Sequence, residues 1–227
     1  MSNLISQVDW TGLINLALRV TAVLLCIMVH EVSHGLAAYM LGDPTAKSRH
    51  RLSFNPLRHI DPFGALMMVV VGFGWAKPVP IDPRYFKNPK RGMAITALAG
   101  PVSNFVLAYL SLVLCYAILP FYAGSGGETA LSTLLGFLYS MARLSIGLGI
   151  FNLFPFPPLD GSKVLGALLP TDLYYEFLRF ERYGMLILMA VLWLGILDVP
   201  LNGGLNAMLQ LLDSGARWPY DLIVTLF

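Results

Sequence analysis

The chain has 227 residues, of which 56% are hydrophobic and only 12% charged, whereas soluble domains carry about a quarter charged residues. Lipid is therefore the expected solvent. A net charge of +2, with no dense Lys/Arg run interleaved with aromatics, does not fit a nucleic-acid-binding profile, and no nucleic-acid partner is expected. The two cysteines, Cys26 and Cys115, both lie in apolar runs and read as small buried hydrophobes rather than a disulfide or ligands.

The first element runs from about Trp10 to Leu41. It is apolar through Val29, turns polar at His30-Glu31-Val32-Ser33-His34, and stops at Gly42-Asp43-Pro44, a helix-ending signal. No Lys or Arg precedes Trp10 and no small-residue cleavage site follows the apolar run, so this helix is expected to be retained rather than removed as a signal peptide. Residues 45–61 are polar and basic. Pro62–Trp75 is apolar but too short to span, rich in Val, and followed by Pro78-Val79-Pro80. It predicts a short membrane-associated β-hairpin packed in protein or lining a wet cavity. A second span is expected over about Gly92–Leu119, containing Gly100-Pro101-Val102-Ser103-Asn104. A third covers about Leu131–Phe154 and ends in a stretch with three prolines between Asn152 and Gly161, which excludes a continuing regular helix. A fourth span is expected at about Tyr183–Val199, and the apolar pieces of Asn202–Phe227 lie along the interface or re-enter. The expected fold is thus an α-helical multi-pass membrane protein, a single membrane-embedded domain over residues 1–227 with a core at about 10–165 and C-terminal helices at about 170–227.

Charge distribution sets the sidedness. Nine of the 15 basic residues fall between Lys47 and Arg91, and Pro120–Ala130 has none. The basic region is therefore expected on the cytoplasmic side of the cell membrane, with the polar end of the first helix beside it.

The chemistry concentrates in His30-Glu31-Val32-Ser33-His34. Histidines four apart on a helix project from one face and can take two corners of a zinc tetrahedron. The intervening Glu is then placed to activate water as general base, the arrangement of an H-E-x-x-H metalloprotease. The alternative is a solvated polar helix end, disfavoured because ionisable groups at membrane depth are expensive and usually mark function. Catalytic zinc usually takes a third protein ligand, and Asp160, His50, His59, Asp61 and Glu128 are candidates. Glu128 falls on the opposite side by the charge argument. Asp160 falls on the correct side, yet Asp160-Gly161-Ser162 is also a good N-cap for a helix over 161–169, so spacing leaves ligand and cap open. Asn104 and Asn152 are amides in apolar spans, read either as interhelical hydrogen-bonding groups or as donors to substrate or oxyanion.

Taken together, His30-Glu31-x-x-His34, Gly100-Pro101-Val102-Ser103-Asn104 and Asn152-x-x-Pro155-x-Pro157-x-x-Asp160-Gly161 resemble the site-2 protease family of intramembrane zinc metalloproteases, in its compact bacterial form without PDZ or CBS modules. The resemblance covers about residues 10–165. It implies a three-helix catalytic core, one Zn2+ per chain held by His30, His34 and Asp160, Glu31 as general base, and cleavage of transmembrane protein substrates. Within it, Met67–Val71 or Trp75–Ile81 would offer a strand edge to an unwound substrate. A homo-oligomer is compatible with the sequence. The rival class is a membrane cation transporter or channel using the same His/Asp cluster. It is disfavoured by the lack of internal repeats and by having no use for Glu31.

Overall fold

The computed structural model describes residues 9–71, 77–124 and 129–226. Its helices are α1 (Trp10–Met40), α2 (Thr45–Ser48), α3 (Pro62–Val71), α4 (Pro89–Gly124), α5 (Thr129–Leu153), α6 (Asp160–Leu168), α7 (Thr171–Trp193), α8 (Asp198–Ala216) and α9 (Trp218–Leu226). Among the described residues, three stretches are long and apolar enough to cross a membrane: Trp10–Met40, Pro89–Tyr122 and Ala130–Leu153. Glu181–Trp193 and Asp198–Leu226 make a fourth if that pair, bent by 85°, is one span. The expected fourth helix therefore does not run unbroken to Val199. It stops at Trp193, and Gly195 turns the chain at φ +66°, a backbone angle open chiefly to glycine.

α1, α4 and α5 pack on one another through small side chains, as membrane helices do when they must approach closely without a hydrophobic drive. Ala22 and Cys26 of α1 meet Leu138 and Met141 of α5. Ala108 and Leu112 of α4 meet Ala142 and Ile146 of α5 and Ala216 of α8. Cys26 and Cys115 are free thiols in these contacts, as their apolar surroundings predict. Tyr116 Oη donates to Asp213 Oδ1 at 2.7 Å, fastening α8 to α4.

The sequence-predicted hairpin over Pro62–Trp75 is corrected. Residues Pro62–Val71 form a helix, opened by Asp61, whose Oδ1 accepts the Gly64 N–H at 2.8 Å. A short apolar run carries no period that separates strand from helix. In an apolar setting the capped helix closes its own backbone hydrogen bonds, whereas a lone hairpin leaves its edges open. The strand edge expected at Met67–Val71 is thereby withdrawn. Trp75 and Ala76 lie outside the described residues, and no β-strand occurs among those described. Lys77–Ile81 runs without helical structure, its Lys77 N–H donating to His59 O at 2.9 Å.

Two tight turns bring the polar segments beneath the helices. α1 ends at Gly42, φ +103°, where a left-handed residue lets the chain reverse at low cost. The next residue, Asp43, is fully buried. One carboxylate oxygen accepts the Thr45 N–H at 2.8 Å and the other the Asp82 N–H at 2.7 Å, so the end of α1 is clamped to the strap that leads into α4. On that strap exposed Arg84 pairs with Asp82 at 2.6 Å, holding the Asp82 carboxyl down at about 2.

Candidate metal centre

His30 and His34 lie one helical turn apart on α1, both buried, with ring centroids 4.5 Å apart at an interplanar angle of 89°. They face α4 at Thr96, Gly100 and Asn104, residues that share one face by their four-residue spacing. His34 Nδ1 lies 2.7 Å from the Thr96 carbonyl oxygen. A carbonyl can only accept, so Nδ1 carries the proton and a neutral His34 turns the lone pair of Nε2 inward. His30 Nδ1 lies 3.1 Å from the amide of fully buried Asn104. The Asn104 Oδ1 has no hydrogen-bond partner among the described residues. With that oxygen turned to accept from His30 Nδ1–H, His30 too presents a lone pair at Nε2, the orientation that metal-ligating histidines take from their outer hydrogen bonds. Gly100 is the floor beneath both rings. A Cβ there would stand 2.5 Å from His34 Nε2 and 2.6 Å from His30 Cε1.

The third group arrives on α6. Pro155, Pro157 and Pro158 stop α5 at Leu153, and the chain then turns so that Gly161 packs on the carbonyls of Leu153 and Phe154, against which any Cβ would collide. That close approach carries Asp160, the first residue of α6, under α1. The N-cap is Leu159, without a side-chain capping bond. The Asp160 carboxylate instead faces the histidines: Oδ2 is 3.0 Å from His30 Nε2 and 3.0 Å from His34 Nε2, while Oδ1 lies 3.6 Å from Lys163 Nζ. Burial opposes this carboxylate's charge, but the two imidazoles and Lys163 outweigh it and hold Asp160 well below the usual carboxylate range.

The donor set fits zinc. The ligand atoms all lie within 4.8 Å of one another, and the two 3.0 Å separations approach the roughly 3.3 Å edge of a tetrahedron with 2.0–2.1 Å bonds. Without a cation, a protonated Nε2 must meet the Asp160 oxygen; a neutral His34 aims a lone pair at that oxygen, and a bound cation between them makes this arrangement stable.

The centre opens into a cavity of about 710 Å³ lined mainly by apolar side chains, with Glu31 and Asn152 on its wall. Glu31 Oε2 accepts the Val79 N–H at 2.9 Å, so the strap after α3 fixes one carboxylate oxygen. Asn152 donates to Leu148 O at 3.0 Å. Asn104, by contrast, sits behind His30 and is not part of the cavity wall.

The remaining ligand candidates do not join this cluster, although His59 and Asp61 line the cavity. His50 is exposed, Asp61 caps α3, and Glu128 lies outside the described residues. His59 is buried, its ring Nε2 donating to Ser53 O at 2.8 Å, and it lines the cavity. Its burial had no periodic signal in a proline-flanked loop. Nor did the Thr96 carbonyl or the Val79 amide, which act through backbone atoms.

A family model for peptidase family M50 matches residues 118–195, a segment that includes Asn152 and Asp160 but not His30 or His34. The relatives extend further. The "Putative zinc metalloprotease YwhC" of Bacillus subtilis (strain 168) is 36% identical over 200 residues, 86% of this chain and 90% of that protein. The chain belongs to peptidase family M50. A second relative, the "Putative zinc metalloprotease Rip2" of Mycolicibacterium smegmatis, is 29% identical over 175 residues, 74% of this chain and 64% of that protein. No solved structure matches the chain. M50 membership bears out the resemblance to the site-2 proteases and makes the chain a metallopeptidase. The joined His30, His34 and Asp160 are the donor set such an enzyme requires.

Proposed function

We propose that this M50 peptidase is a zinc-dependent intramembrane endopeptidase that cleaves transmembrane protein substrates near the cytoplasmic face of the cell membrane. The observation that carries the reading is the convergence of His30, His34 and Asp160 on one point of a largely apolar cavity, with Glu31 on its wall. His30, His34 and Asp160 hold one zinc ion per chain. When bound, zinc polarises the scissile carbonyl and lowers the pKa of the attacking water.

The chain's own residues do the rest. Glu31 takes the proton from that water and returns it to the leaving amine. The Val79 N–H holds one Glu31 oxygen and leaves the other for the water. The Thr96 carbonyl and Asn104 amide keep the imidazoles turned with Nε2 inward. Asp160 supplies the negative charge that offsets the cation, and Lys163 occupies its second oxygen. Of the two amides, Asn152 is the one that lines the cavity, and we assign it the contact to substrate backbone or oxyanion; Asn104 acts through His30. The whole chain is one domain, its core formed by α1, α4, α5 and α6, with α7–α9 packed outside. The basic residues between Lys47 and Arg91 support a cytoplasmic position for the polar end of α1.

The decisive experiment compares wild type with Glu31→Gln in membranes. The variant is expected to keep its zinc while cleavage falls by at least about a hundredfold, the scale of a lost general base. Membrane-protein fragments from cells expressing the two forms would name the substrates. Fragments independent of Glu31, or zinc flux through liposomes that survives Glu31→Gln, would reject the reading.

A further inference from the structure

Two charged side chains of the cavity take no part in the metal centre, Arg19 and Asp61, and Asp61 is engaged in capping α3. Arg19 lines the same cavity as His30 but sits within the apolar stretch of α1. Eleven residues separate the two, which at 3.6 residues per turn brings Arg19 back to within about 20° of His30 and about 16 Å along the helix. The wall between them is Val20, Val23, Leu24 and Ile27. The cavity thus has the metal centre at one end, an aliphatic wall, and a guanidinium at the other.

A cation in an apolar span is costly. It is retained where it faces a cavity and meets an opposite charge. Arginine stays charged whatever its surroundings, and among the described residues no carboxylate forms an ion pair with Arg19. Its planar fork matches a carboxylate with two parallel hydrogen bonds. We propose that Arg19 is a carboxylate-recognition subsite, binding an Asp or Glu side chain, or a C-terminal carboxylate, of the peptide whose scissile bond lies at Glu31. This rests on the protease reading above. About 16 Å corresponds to roughly five residues of extended chain or eleven of helix. A substrate extended at the cleaved bond and helical beyond it places its carboxylate between those limits.

The test measures binding, so that it does not depend on turnover. Apolar fluorescent peptides carrying one Asp at successive positions, and a neutral peptide with a free or amidated C-terminus, are titrated onto zinc-loaded full-length Glu31→Gln protein in phosphatidylcholine nanodiscs. At one register the carboxylate is expected to tighten binding by at least about tenfold, the scale of one hydrogen bond to a charged group. Adding Arg19→Leu should abolish that preference, Arg19→Lys should retain part of it, and Arg19→Glu should transfer it to peptides with Lys in the same register. The Asp series and the free-terminus peptide separate the two sources of the carboxylate. Equal binding of all peptides, as expected if the guanidinium only reaches lipid phosphate, or a preference that survives Arg19→Leu, would overturn the subsite. Arg19-dependent binding without Glu31-dependent cleavage of the same peptide supports the subsite and counts against the protease reading. Cleavage without Arg19-dependent binding does the reverse.

Discussion

Replacing Gly100 by alanine adds a single methyl group, and its consequence can be worked from the site. The new Cβ would lie 2.5 Å from Nε2 and Cε1 of His34 and 2.6 Å from Cε1 of His30, roughly 1 Å short of ordinary van der Waals contact in a close-packed interior. Three of the nearest atoms belong to the two imidazoles, and the backbone of α4 is fixed by α1 and α5 on either side. The rings must therefore move, whereas zinc sites hold ligand distances to within about 0.2 Å. Displacing ligands on this scale is expected to weaken zinc at least as much as losing their outer hydrogen bonds, about 10–100-fold, with each tenfold worth about 1.4 kcal/mol. Competition against a chromophoric chelator measures the affinity, and cleavage should fall with zinc occupancy. Gly136→Ala on α5 is the control, since a Cβ there meets nothing within 4 Å. Zinc affinity within twofold of wild type in Gly100→Ala, with Gly136→Ala behaving the same, would refute the geometry.

Other substitutions separate the parts of the site. Gly161→Ala sets a methyl against the Leu153 and Phe154 carbonyls; it is expected to lift Asp160 away from the histidines, so that zinc is lost while the α-helical circular dichroism persists. Asn104→Leu removes the amide contact at His30 Nδ1 and should cost about 10–100-fold in zinc affinity, whereas Asn152→Leu should lower cleavage with zinc retained. Val79→Pro deletes the N–H that holds Glu31 Oε2. Its expected signature is a fall in kcat at unchanged zinc content, and unaltered kcat would show that this hydrogen bond does not orient the base. Zinc added to chelator-stripped protein should raise the unfolding temperature, because a ligand bound only by the native state stabilises it; Asp160→Ala should lose most of that increment.

His30, Glu31 and His34 stand at i, i+1 and i+4 of a long apolar helix, so their common face and their membrane setting follow from helix geometry alone. The long spans were legible for the same reason: only an unbroken apolar helix satisfies its own backbone in hydrocarbon. The Pro62–Val71 segment was not, since ten apolar residues carry too little periodicity and the deciding bond is the Asp61 cap. The kink after Trp193 was likewise hidden in an apolar run whose only marker is Gly195.

The sequence by itself determined the solvent, the spans and the pentapeptide of the metal centre, because these depend on composition and on neighbours along one helix. Tertiary structure alone decided what Asp160 does, since cap and ligand share one local sequence and differ only in which groups lie across from the carboxylate 130 residues away from His30. It also decided that Asn104 faces a histidine, that the Val79 backbone reaches Glu31, and that Arg19 shares a cavity with the centre. Each of these is a contact between helices or loops far apart in the chain, where packing rather than local propensity sets the geometry.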